Sequence, residues 1–339
     1  MMSLVIGVLV TIVTTAVLLR LVERHAPALG LMDIPNERSS HSRPTPRGGG
    51  VGIVVGSVLG IVVSLGMSGS TDAATAAVVL TAAVGVALVS LIDDLRELPP
   101  LVRLATHVTA AIGVVAWLPP PGVLELPLVA PIALGPVAPV LAVLWVVGVT
   151  NIYNFMDGID GLAGGQGLVA GLLWGGAGLL AGDRFVAACG FAIAACCAIF
   201  LARNWSSARI FMGDAGSAFL GFLVAVLPLV VTGDAPGLRG WPLGAVVLWP
   251  FLFDTTLTLA RRAARGENVL LAHRSHLYQR LVVGGHTHAW VSGVYILLAA
   301  MAALAGLGWA LGRLPGWAVA GVTIAEAVVL MQLVRHRKP

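Results

Sequence analysis

The sequence predicts an all-α integral membrane protein that crosses the bilayer about eleven times, or ten at the lower count. Three observations carry this expectation. The 339 residues are 58% hydrophobic, with a mean hydropathy of +0.94. Only 11% are charged, against about a quarter in soluble proteins. The apolar residues also fall into long runs, each sufficient to carry a helix across ~30 Å of hydrocarbon at a rise of ~1.5 Å per residue.

In chain order the spans are expected at 3–22, 48–66, 73–92, 101–118, 134–150, 162–181, 185–202, 216–232, 240–259, 289–311 and 316–334. The first run lacks a basic leading segment and a small-residue cleavage site, so it reads as a spanning helix and not as a removed signal peptide. The run at 134–150 follows a proline-rich stretch (Pro119, Pro120, Pro121, Pro127 and Pro131) that blurs its start. Polar loops separate the spans at about 23–47, 93–100, 151–161, 203–215 and 260–288. No soluble domain interrupts them, so 1–339 reads as one transmembrane domain.

Orientation follows from the basic residues, which concentrate in cytoplasmic loops. One side collects seventeen: Arg20, Arg24, Arg38, Arg43, Arg47, Arg96, Arg103, Arg203, Arg209, Arg261, Arg262, Arg265, Arg274, Arg280, Arg335, Arg337 and Lys338. The other side has Arg184, Arg239 and Arg313. The first side is therefore expected to be cytoplasmic, with the N-terminus outside and the C-terminus inside. The formal charge of +4 comes from these loop anchors, so no nucleic-acid partner is expected. Cys189, Cys196 and Cys197 lie within one apolar run without metal-ligand spacing, as packing residues do.

The same assignment sorts the carboxylates. Asp93, Asp94, Asp157, Asp160, Asp214 and Asp254 all fall at or near cytoplasmic helix ends, as do Asn151, Asn154, His273 and His276. Carboxylates beside hydrocarbon are costly and usually mark function. A single one would fit a helix cap, but an adjacent pair with further carboxylates on other segments points to a shared site. Asp93 and Asp94 repel unless a cation or proton joins them. Their hard oxygens favour magnesium, with manganese as an alternative, and magnesium commonly bridges substrate phosphates. Asn151, Asn154 and Asp157 recur every three residues, which places them on roughly one side of a helical turn. Asp160 precedes a span and also suits a helix cap. Asp214 offers either a metal ligand or a cap, and Phe211 either a stacking face or an interface anchor. His273, Arg274 and His276 supply groups that bind phosphate oxygens. Arg261 and Arg262 read better as a lipid-headgroup patch. Arg43 to Gly50 forms a basic, glycine-rich turn whose amides suit an anion or whose arginines reach headgroups.

These features imply a cation site at the membrane boundary, where a lipid phosphate could meet a soluble phosphorylated donor. The competing class is an ion-coupled transporter, whose acidic residues tend to lie near the midplane with broken helices in matching halves. A CDP-alcohol phosphotransferase is a second rival, but its Asp-Gly-x-x-Ala-Arg run is absent: Gly161-Leu162-Ala163-Gly164 contains no Arg.

The pieces DIPNERSSHSRPTPRGGGVGI, LIDDL, NIYNFMDGIDGLAGG, NWSSARIFMGDAGSAFLG and AHRSHLYQRL occur in this order over about residues 33 to 281. Together they resemble the polyprenyl-phosphate N-acetylhexosamine-1-phosphate transferase family, which includes the phospho-N-acetylmuramoyl-pentapeptide transferases. The resemblance implies transfer of a sugar-1-phosphate from a UDP-sugar to undecaprenyl phosphate at the cytoplasmic face of the bacterial inner membrane, with release of UMP. It implies metal and acceptor-phosphate roles for Asp93 and Asp94, and metal binding by Asp214 and Asp157. Asn154 and Asp157 fall at the catalytic centre. Asp160, Phe211 and Asn204 fall at the nucleotide pocket, and His273, Arg274 and His276 in the donor-phosphate loop. A homodimer is left open. The opening and closing motifs look more like the branch serving O-antigen and related surface glycans. The muramoyl-pentapeptide branch carries lysines near its acidic pair and in its first cytoplasmic loop, neighbourhoods where this chain has Arg96, Arg103, Arg43 and Arg47, and a triple-His run that is absent here.

Overall fold

The computed structural model describes residues 1–35, 43–68, 73–231, 240–269 and 273–335. Arg38, Arg239, Arg337 and Lys338 lie outside the described residues, as do parts of the 23–47 and 260–288 loops. Helix α1 (Met2–Leu29) leads into a two-stranded antiparallel ribbon, β1 (Met32–Asp33) with β2 (Thr45–Pro46). Helices α2 (Gly49–Ser68), α3 (Ala73–Arg96) and α4 (Pro100–Trp117) follow. A second ribbon, β3 (Val123–Leu124) with β4 (Ile132–Ala133), occupies the proline-rich stretch before α5 (Ala138–Phe155). The chain continues through α6 (Leu162–Ala181), α7 (Arg184–Asn204), α8 (Gly213–Val230), α9 (Gly240–Val247), α10 (Trp249–Ala264), α11 (Leu277–Val283), α12 (His288–Ala310) and α13 (Gly316–Arg335).

The expected all-α membrane architecture is present, with two short ribbons added. Among the described residues nine helices are long and apolar enough to span a bilayer, and a tenth span results if the bent pair α9–α10 is counted as one. Two of the eleven expected spans account for the difference. The run expected at 162–181 does form α6, but its many glycines and Gln166 dilute its apolar character, and it packs between α7 and α12. The run expected at 240–259 is not straight: it breaks at Leu248, and its halves meet at 73°. Pro250 supplies a cause, since it has no N–H to continue the helical ladder. The side-chain amide of Gln166 donates to the Val247 carbonyl at the break (2.9 Å), which satisfies a backbone group that lipid could not.

Helix α8 occupies the centre, against α2, α3, α5 and α9. All of it is buried except Asp214 and Val230. Its first turn therefore presents one carboxylate to the end of the bundle where α3 finishes and α4 begins. An ion pair between Arg203 and Glu23 ties the ends of α7 and α1. At the opposite end of α7, Arg184 donates to the Ser68 carbonyl that closes α2 (2.8 Å).

Candidate active site

The apolar run of α3 ends in Asp93 and Asp94, whose side chains have different surroundings. Asp94 caps α8 from outside: its Oδ1 accepts from the Asp214 amide (3.0 Å) and its Oδ2 from the Ala215 amide (3.1 Å). Carboxylates are favoured there because the first amides of a helix lack internal partners and carry partial positive charge. Gly213 has φ of 73°, and a Cβ on it would lie 2.7 Å from Asp94 Oδ2; only glycine meets both demands without strain. Asp93 accepts from the Leu98 amide (2.6 Å) and from Arg103 (2.8 Å).

Two arginines connect these acids to Asp214. Arg47 lies 2.5 Å from Asp94 Oδ1 and 3.2 Å from Asp214 Oδ1. Arg103, one turn into α4, lies 2.8 Å from Asp93 Oδ2 and 3.2 Å from Asp214 Oδ2. Burial opposes the charge of Arg47, but Asp94, Asp214, Asp33 and Asp157 hold its pKa above the ordinary value. Its position is fixed through the main chain. Phe211 N–H donates to the Pro46 carbonyl (2.8 Å), and the Gly49 and Gly50 amides donate to the Phe211 and Met212 carbonyls (2.9 and 2.7 Å).

The segment after α5 adds the fourth carboxylate. Asn154 donates to the Ser217 hydroxyl on α8 (2.9 Å), whereas Asn151 donates to the Val147 carbonyl (2.7 Å). Asp157 is half-buried, and its carboxylate makes no hydrogen bond or ion pair among the described residues. Burial, then the nearby charges of Asp214, Asp94 and Asp160, push its pKa up to about 7, against the pull of Arg47. Asp160 is placed differently. Its Oδ2 accepts from the Ser207 and Ala208 amides (both 3.2 Å), and His288 Nδ1 stands 3.4 Å away. Burial opposes its charge, but His288 and these amides hold its pKa below the ordinary value. Asn204 accepts from the Gly161 amide (2.8 Å) and donates to the Ile210 carbonyl (2.9 Å). It thus fixes the Asp160 segment to the Phe211 segment.

The third expected cluster is organised by Asp254, which is fully buried. Its carboxylate accepts from the amides of Leu277 (2.8 Å) and Tyr278 (3.1 Å) and from the hydroxyls of Tyr295 (2.6 Å) and Thr258 (3.2 Å). His276 Nδ1 lies 3.2 Å from it. Tyr278 then donates to the Phe155 carbonyl (3.2 Å) and covers Gly158 so closely that a Cβ there would lie 2.1 Å from its hydroxyl. His273 and His276 rings lie 4.9 Å apart. Burial, then His276 and Arg262, lower the His273 pKa to about 4, so it is neutral near pH 7. Arg274 is exposed.

The fold therefore gathers Asp93, Asp94 and Asp214 through two shared guanidiniums, with Asp157 in electrostatic reach. Asp160, Asn204 and Phe211 form a neighbouring group, and the segment from His273 to Tyr278 rests on Phe155 and Gly158, on either side of Asp157, through Tyr278. Among the described residues, no three His, Cys, Asp or Glu side chains already surround a metal-sized position. The guanidiniums of Arg47 and Arg103 stand between the acids instead. Sequence reasoning did not single out His288 or Ser217. Their only advance signals were a His and a Ser near predicted helix starts.

Comparison with known proteins bears on the family of the chain. The model of the glycosyl transferase family 4 matches residues 75–232, which include Asp93, Asp94, Asp157, Asp160 and Asp214. The chain is 29% identical to a probable undecaprenyl-phosphate N-acetylglucosaminyl 1-phosphate transferase of Bacillus subtilis, over 85% of this chain and 80% of that protein. It is 30% identical to the decaprenyl-phosphate N-acetylglucosaminephosphotransferase of Mycolicibacterium smegmatis, over 76% of this chain and 70% of that protein. A phospho-N-acetylmuramoyl-pentapeptide-transferase of Synechococcus is 37% identical, but over 43% of this chain and 44% of its own length.

Proposed function

The chain belongs to glycosyl transferase family 4, and from that premise we propose that it transfers a sugar-1-phosphate of the N-acetylhexosamine type from a UDP-sugar to undecaprenyl phosphate, releasing UMP. N-acetylglucosamine is the first sugar to test, because the relatives that match most of the chain carry it in their names. The product would begin a lipid-linked cell-envelope glycan.

One observation carries the reading. Asp157, free of hydrogen-bond partners among the described residues, faces a group in which Asp93, Asp94 and Asp214 share only Arg47 and Arg103. Four carboxylates against two guanidiniums leave two negative charges when all are ionised. A divalent cation with hard-oxygen preference, magnesium or manganese, matches that excess. Asp157 and Asp214 are the least encumbered donors for it, with Asp93 beside them. Asp94, saturated by two amides and Arg47, serves better to place Asp214. When bound, such an ion neutralises charge on the transferring phosphate and on the departing nucleotide.

In the proposed reaction an oxygen of the lipid phosphate attacks the β-phosphorus of the donor. The new bond joins lipid phosphate to sugar phosphate, and the bond to the α-phosphate breaks, leaving UMP. The lipid phosphate is already largely ionised near neutral pH, given a second pKa of about 6, so no strong base is required. Arg103 and Arg47 orient the phosphates and stabilise the developing charge. Asp93 positions Arg103. Asp160, with Phe211 and Asn204 beside it, lies where the nucleotide base would sit, and Arg274 with His273 faces the donor phosphates. The Arg-rich end is the cytoplasmic one in this proposal, since the soluble donor is made there and basic residues mark that side.

The test uses purified full-length protein with undecaprenyl phosphate and a panel of UDP-sugars. UMP release that requires the lipid, the donor and a divalent cation is the expected result, and chelation should abolish it. Solute flux across vesicles without UMP release would replace this reading with the transporter.

A further inference from the structure

Asp160 precedes α6 but does not cap it; Gly161 stands at the helix start, which has no side-chain cap. The Asp160 carboxylate turns instead toward the loop after α7. Its Oδ2 receives the Ser207 and Ala208 amides, whereas Oδ1 accepts no hydrogen bond among the described residues. Ser206 and Ser207 adopt φ of 36° and 69° where those amides are presented. Such left-handed backbone is costly for residues other than glycine and persists where the surroundings impose it.

The main chain of this segment is also held by side chains. His288 Nδ1 stands 3.4 Å from the Asp160 amide and 3.4 Å from Asp160 Oδ2. Ser292, one turn further along α12, donates to the Asp160 carbonyl (2.7 Å). Asn204 accepts from the Gly161 amide (2.8 Å). The Trp205 ring covers Gly161 so closely that a Cβ there would lie 2.8 Å from it. Every polar main-chain group from the Asp160 amide to the Gly161 amide is thus tied to another segment.

Helix α12 starts without help from His288. Thr287 caps it, its hydroxyl accepting from the Trp290 amide (3.2 Å), and Val291, Ser292 and Tyr295 bury its first turns. The hydrogen-bonding and ionic contacts of His288 run to Asp160, and none reaches Asp93, Asp157 or Asp214 among the described residues. One ring nitrogen serves both contacts. With the proton on Nε2, Nδ1 accepts from the Asp160 amide; with a proton on Nδ1, it donates to Oδ2. In each state the ring holds residue 160. We propose that His288 is a positioning residue, which aims Asp160 so that Oδ1 is left to accept from an N–H on the base of the donor nucleotide. The proposal rests on the reading of Asp160, Asn204 and Phe211 as the nucleotide pocket and deepens it. Because an ionised carboxylate only accepts, the complementary edge of the base is an amide or imide N–H. The influence of His288 then falls on donor binding and not on the chemical step.

The test compares full-length parent protein with His288→Ala and with His288→Asn, whose side-chain amide can place an oxygen or nitrogen where Nδ1 stands. UMP binding is read by calorimetry without lipid, and KM and kcat for the UDP-sugar are read by UMP release. His288→Ala should weaken UMP binding and raise KM about tenfold, the effect of losing one hydrogen bond to an ionised group. Its kcat should stay close to that of the parent, as for a group that acts on binding alone. His288→Asn should recover most of the loss. Parent-like UMP affinity and KM in His288→Ala, or a loss that His288→Asn does not restore, overturns the proposal while leaving the transferase reading intact. A parent protein that neither binds nor releases UMP overturns both. Should His288→Ala fail to fold, His288→Leu, which keeps bulk and removes the nitrogen, serves the same comparison.

Discussion

Asp254 and Asp214 are both aspartates on apolar helices, yet they are satisfied in different ways. Asp254 is enclosed and accepts from two amides and two hydroxyls, with His276 alongside. Its donors belong to the protein's own main chain and packed side chains, so it has no capacity left for a ligand. Asp214 is the first accessible residue of a buried helix and is held by two arginines at 3.2 Å each. Those contacts are long and ionic, and a cation or a phosphate can displace or share them. A buried carboxylate saturated by neutral donors is a structural joint, whereas one balanced by partly exposed guanidiniums is available for chemistry.

The comparison can be broken from either side. Removing the joint should have the largest effect. Asp254→Ala strands several buried donors, and breaking a buried charged network of this kind costs about 3–5 kcal/mol. The melting temperature should fall steeply, and any loss of turnover should track the folded fraction. A fully folded, inactive Asp254→Ala protein would reverse the assignment. Asp214→Asn should do the opposite. Turnover should drop by about 10²–10³-fold, the range for losing one electrostatic stabiliser in an active site, while the melting temperature stays close to that of the parent. A variant that retains most of its UMP release would remove Asp214 from the chemistry.

The smallest effect concerns Asp157. Its folded pKa of about 7 lies above the roughly 3.9 of an unfolded aspartate. Between those values the folded chain keeps a proton that the unfolded chain has released. Its contribution to stability is therefore full at low pH and is lost as pH rises toward about 7. Metal-free protein should melt higher at acid than at neutral pH, with a flatter profile in Asp157→Asn. Saturating magnesium should flatten the parent profile too, because the cation replaces the proton. An unchanged profile in Asp157→Asn would show that other groups set the slope.

Much of this was legible in the sequence because hydropathy acts locally. Apolar runs located α2, α3 and α4 to within four residues, whereas α1 continues through Leu29, past its expected end at 22 into the expected loop, and the acidic helix ends marked the candidate site. The break at Leu248 was not expected, although Trp249-Pro250 inside an apolar run was a visible signal. The identity of the joint and of the ionic partners was hidden for a different reason. Arg47 meets Asp214 across 167 residues, and Tyr295 meets Asp254 across 41. No spacing rule encodes such distances; only the packed bundle does. Asp254, grouped in the sequence with the other acidic helix ends, is set apart from them by its donors.

The main-chain splice between Pro46–Gly50 and Phe211–Met212 also bears on biogenesis. Asp94 and Arg47 emerge from the ribosome long before the amides of Asp214 and Ala215 that complete their setting. Until α8 is inserted, these charges must wait at the edge of the bilayer, partnered by water or by headgroups. The candidate site is therefore completed late in synthesis, and a chain truncated before α8 would leave Asp94 without the two amides it accepts from.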